Sequence, residues 1–100
     1  MGYPSDNQVW NIEFIVESLK YTGFANKIKK GDEVHYNVSY CWEENPNLKY
    51  TGSFYPKKGS GENENTIEWE CHNRGIKPKF IKPIGNAIEK KVKKTGLSIF

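Results

Sequence analysis

Beyond Glu70 the chain holds a single acid, Glu89, against eight bases (Arg74, Lys77, Lys79, Lys82, Lys90, Lys91, Lys93 and Lys94), a net of +7. Residues 1–70 carry seven lysines against eleven acids, a net of −4, and the two parts sum to the formal +3. Aspartate occurs twice in all, as Asp6 and Asp32, too few for an acidic calcium loop. Arginine is scarce as well: Arg74 alone, which argues against base-specific readout, where the guanidinium fork is favoured. No apolar run approaches the ~20 residues of a membrane-spanning helix. The opening Met1-Gly2-Tyr3-Pro4-Ser5-Asp6 has neither the basic nor the apolar region of a signal peptide, and Asp6 breaks a myristoylation motif. An intracellular setting is therefore the slight preference.

Catalytic signatures are missing too. There is no glycine-rich phosphate loop, no nucleophile elbow and no metalloprotease helix. Glu68, Glu70 and His72 share one side of a strand, with the carboxylates roughly 6.5–7 Å apart by strand rise. Carboxylate pairs at such separations serve glycosidases, but a charged solvent face explains the same residues. His35, Cys41, Cys71 and His72 lack the C-x2–4-C knuckle of structural zinc sites, and adjacent Cys71 and His72 point to opposite faces. The expectation is no enzyme, no metal and no cofactor.

What the chain does have is aromatic residues, fourteen in 100, within a composition only 36% hydrophobic. Each ring removes roughly 150–250 Å² from water when buried, so a compact aromatic core is expected of one domain over residues 9–100, after a polar tail at 1–8. Alternation predicts strands. Trp10, Ile12, Phe14 and Val16 share a side, with Ile15 the exception. Val34, Tyr36, Val38, Tyr40 and Trp42 follow the cleanest pattern. Leu48, Tyr50 and Phe54 mark another strand, interrupted by Gly52. Ile67, Trp69 and Cys71 mark a fourth. Residues 22–32 read as a loop, 43–47 as a turn and 57–65 as a hairpin loop. Cys41 and Cys71 fall on opposite sides of their strands, so both are expected as free thiols.

Pro78 and Pro83 disfavour helix in the residues before them, so 76–83 reads as an extended edge strand. A short C-terminal helix is expected at about 87–94, capped by Asn86 with Glu89 three residues on and stopped at Gly96. Ile84, Ile88 and Val92 form its apolar stripe, and Leu97 to Phe100 read as a last strand. The expected fold is mainly β: an antiparallel β-sandwich or small open barrel of five to seven strands with that one helix.

The functional expectation follows from the charge. A small binding module would engage an anionic partner, most concretely nucleic acid, through Lys77, Lys79 and Lys82 on the edge strand, Lys90, Lys93 and Lys94 on the helix, and Arg74. Six phosphate contacts would give a log–log salt slope of about −5 on duplex DNA. Tyr55 beside Lys57 and Lys58 offers a further recognition tip. An acidic protein surface is the other anionic candidate, and a membrane surface a weaker one. The alternative is a protein-interaction domain, accessory or inhibitory, that recognises its partner through the 57–65 loop or an edge strand. A carbohydrate site at Tyr55, Glu68 and Glu70 stands third. Asn37-Val38-Ser39 is a glycosylation sequon that matters only in a secreted chain.

Overall fold

A computed structural model describes residues 8–58 and 66–100. It contains five strands, β1 (Gln8–Val16), β2 (Leu19–Lys30), β3 (Glu33–Trp42), β4 (Asn45–Lys58) and β5 (Ile67–Cys71), followed by one helix, α1 (Pro78–Lys94). The strands form one open antiparallel sheet in sequence order, and the layer over its inner face is the helix.

The burial of β1 alternates strictly: Trp10, Ile12, Phe14 and Val16 face the core and Ile15 is 65% exposed, so only the inner face is covered. Glu17 and Ser18 both adopt positive φ (52° and 67°), as a type I′ hairpin requires, and Val16 pairs with Leu19. The chain then returns as β2, where a loop was expected over 22–32. Its inner side carries small residues, Gly23 and buried Ala25, so it shows no hydrophobic alternation. At Gly23 a Cβ would lie 2.0 Å from the Ser39 carbonyl oxygen and 2.7 Å from the Tyr40 Cα, so β3 occupies the space a side chain would need.

β3 follows the expected alternation. Only Glu43-Glu44 separates it from β4, whose register shifts so that Trp42 faces Asn45 while Cys41 faces Lys49. Gly52 makes room for the buried Ile76 side chain. β5 is only five residues long and pairs with β4 from Phe54 to Lys58, leaving residues 45–53 without a strand on that side among the described residues. Residues 59–65 of the expected hairpin loop, and 1–7 of the expected tail, lie outside the described residues.

The larger correction concerns 76–83. Pro78 is the first helical residue, where its missing N–H costs nothing, and Lys77 before it is extended (φ −71°, ψ 142°) with no side-chain cap. Pro83 sits inside the helix. Thus α1 has 17 residues instead of eight, Lys79 and Lys82 lie on its first two turns and Lys77 at its N-cap rather than on an edge strand, and Asn86 is mid-helix rather than a cap. An interior proline costs on the order of 3 kcal/mol. Burial of Phe80, Ile84, Ile88 and Val92, each contributing about 1.5–3 kcal/mol, offsets it. The expected stop holds: Thr95 caps, and Gly96 takes φ 78°.

α1 packs against both β1 and β5, the two edges of the sheet. Flat, those edges would stand about 19 Å apart, whereas a helix is roughly 10–12 Å across. The sheet therefore curls around the helix. Trp69 of β5 seals one side, with its indole Nε1–H donating to Glu89 Oε2 at 2.8 Å and its ring filling the space beside Gly85. Residues 97–100 are not a strand. They fold back so that Ile99 is buried and its carbonyl accepts a 2.7 Å hydrogen bond from the Tyr36 hydroxyl.

Candidate functional site

The exposed side of α1 carries five of the ten sequence-predicted residues. At about 100° per residue, Lys79, Lys82, Lys90, Lys93 and Lys94 fall within an arc of about 120°, opposite the buried side of Phe80, Ile84, Ala87, Ile88 and Val92. All five are exposed. Lys79 is bonded to Glu17 of the β1–β2 turn, and that hydrogen bond, with the ammonium's charge, holds the Glu17 carboxyl below its ordinary 4.5. Lys93 stands 3.7 Å from Glu89, whose other oxygen is engaged by Trp69. Lys82, Lys90 and Lys94 have no acid within 4 Å among the described residues. Arg74 and Lys77 are exposed in the segment that leads into the helix.

The remaining candidates lie elsewhere. Lys57 is bound to Glu70 at 2.8 Å, which lowers the Glu70 pKa, and Lys58 sits 5.5 Å from the Phe100 ring. Tyr55 is half-buried on the outer face of β4, its ring 5.4 Å from that of His35 and 5.7 Å from that of His72. Glu70 also lies 3.7 Å from His72. Cys41 and Cys71 are both unpaired thiols, on the outer and inner faces respectively. Among the described residues no group of three or more His, Cys, Asp or Glu could hold a metal ion, and no helix is long and apolar enough to cross a membrane.

A cleft at the end of the fold where α1 begins escaped the sequence reading. It has a volume of about 220 Å³ and is walled by Tyr21, Tyr40, Trp42, Tyr50 and Phe80, with Lys77 and Lys79 on its helical side. Trp42 and Tyr40 were expected simply as core. Tyr40 is buried, but Trp42 is only half so, and Tyr50 and Leu48 are 36% and 52% exposed. β5 pairs with β4 only from Phe54 onward, which leaves Leu48 and Tyr50 without a neighbouring strand on that edge among the described residues, and no periodicity in the sequence marks that boundary.

The outer face of the sheet forms a shallower polar hollow between Phe24, Asn26, Asn37, Ser39, Thr51, Ser53 and Asn73. The Ser53 hydroxyl donates to Asn37 Oδ1 at 3.0 Å, Asn73 Oδ1 accepts from the Ser53 amide at 2.8 Å, and Asn26 Oδ1 is enclosed without a partner among the described residues. Neither a protein-family model nor a curated protein nor a solved structure matches this chain.

Proposed function

We propose that this protein is a non-enzymatic binding module that holds a polyanion, single-stranded nucleic acid, along the outer side of α1. The observation that carries the reading is the composition of that side. Five lysines, Lys79, Lys82, Lys90, Lys93 and Lys94, stand along it, and three of the five ammoniums have no acid beside them among the described residues. A strip from Lys79 to Lys94 is about 22 Å long at 1.5 Å per residue, enough for several phosphates. A lysine-rich rather than arginine-rich strip favours backbone contact without sequence readout. Nothing about the reading requires a bond to be made or broken.

The test is charge reversal with a matched control. In Lys82→Glu/Lys90→Glu/Lys94→Glu, the affinity for a fluorescent 12-nucleotide single strand at low salt should fall by at least about a hundredfold. Reversal of the exposed Lys29, Lys30 and Lys49 removes the same net charge from elsewhere and should cost far less. Equal losses in the two triple variants would reduce the attraction to net charge and overturn the reading.

A further inference from the structure

The aromatic cleft is built as an unfinished stack. Phe80 of α1, Tyr40 of β3 and Tyr50 of β4 follow one another with centroid separations of 5.6 and 5.4 Å, each pair inclined by only 26°. Edge-on contacts brace it from the other side, Tyr21 to Phe80 at 5.0 Å and Phe14 to Tyr40 at 5.4 Å. Tyr50 ends the series. It is 36% exposed, and β5 does not pair with β4 before Phe54. Gly75 also lines the cleft, and a Cβ added to it would meet nothing within 4 Å.

The volume, about 220 Å³, is below the roughly 300–1,000 Å³ of a typical small-molecule site and suits one ring system. Leu19 and Leu48 provide apolar edges, and the rim is cationic on the helical side. Lys77 has no acid within 4 Å among the described residues. Lys79 belongs both to the cleft and to the outward lysine arc of α1, so the two features adjoin.

We propose, resting on the polyanion reading above, that this cleft seats one unstacked nucleobase of a single strand whose phosphates continue along α1. The base lies against Tyr50 and extends the Tyr50–Tyr40–Phe80 stack, with its 5′ or 3′ phosphate beside Lys77. Base-on-aromatic stacking tolerates any base, because every base has a π-face. It needs a strand whose bases are free, so a duplex cannot use the cleft.

The experiment compares a 12-nucleotide single strand with an abasic strand of the same length and phosphate number, by fluorescence anisotropy at low salt. Wild-type protein should bind the base-carrying strand about five- to a hundredfold more tightly, the range one base–aromatic stack supplies. Tyr50→Ala should bring that strand down to the abasic level. Gly75→Leu, which adds bulk to a residue lining the cleft where a Cβ meets no atom within 4 Å, should do the same. Equal affinities of the two strands for wild-type protein would overturn the base seat and leave the helical reading standing. Absence of binding by either strand would overturn both.

Discussion

Two tyrosines show how a polar group is accommodated in this core. Tyr36 and Tyr40 are 0% and 3% exposed, and burial pushes both hydroxyls far above the ordinary 10.0. Tyr36 donates to the Ile99 carbonyl, so its hydroxyl also fastens the C-terminal residues to β3. The sign of the resulting pH dependence follows from proton counting. Above pH 10 the unfolded chain releases protons that the folded chain retains, so stability is intact below that pH and falls as pH rises past it. Phenolate absorbance from these two residues should therefore emerge together with loss of the folded circular-dichroism signal. Its appearance while that signal is intact would contradict the burial of these two residues.

At the scale of elements, the decisive contact is between α1 and Trp69 of β5. A Cβ on Gly85 would come within 2.3 Å of Trp69 Cδ1 and 2.4 Å of Cγ, near the root of the side chain, where the ring cannot easily swing clear. Alanine normally gains about 1 kcal/mol over glycine in a helix. Here overpacking should outweigh that gain, and Gly85→Ala should destabilise by a net of about 1–3 kcal/mol in chemical denaturation. A stabilised variant would show that the helix and β5 are not in close contact.

This contact also explains what the sequence could and could not reveal. β1, β3 and β5 were legible because their inner positions carry large apolar side chains at every second residue. β2 was not, because small Gly23 and Ala25 occupy two of its inner positions, and at Gly23 β3 comes too close for a side chain. The first turns of α1 were hidden by Pro78 and Pro83, whose local bias against helix is real. The tertiary gain of Phe80 and Ile84 exceeds that bias, and no local rule contains it. The apolar stripe of Ile84, Ile88 and Val92 was legible because it depends on spacing alone, and all three are fully buried.

Across the whole molecule, the uneven charge of the chain becomes a difference between surfaces only in part. The lysines at 79, 82, 90, 93 and 94 are gathered on one side because they lie on one longer helix, whereas Lys57 and Lys58 are held on β4 by Glu70 and Phe100. Charge counting could find the former group but not separate it from the latter. The cleft was beyond such counting, since it depends on β5 ending early and on α1 beginning early, two boundaries that strand and helix periodicities leave loose. Phe80, read as part of an edge strand, is in fact the inner ring of the stack.

The central claim, that a polyanion lies along the outer side of α1, is tested most directly by locating a bound strand on the isotopically labelled protein. Amide and lysine side-chain NMR shifts would be followed as the 12-nucleotide single strand is added at low salt. The account predicts that the perturbed signals run from Lys77 to Lys94 and include Tyr50 and Gly75, while Asn37, Thr51 and Ser53 on the outer face of the sheet stay in place. Shifts concentrated on that outer face, with the α1 lysines unmoved, would contradict it.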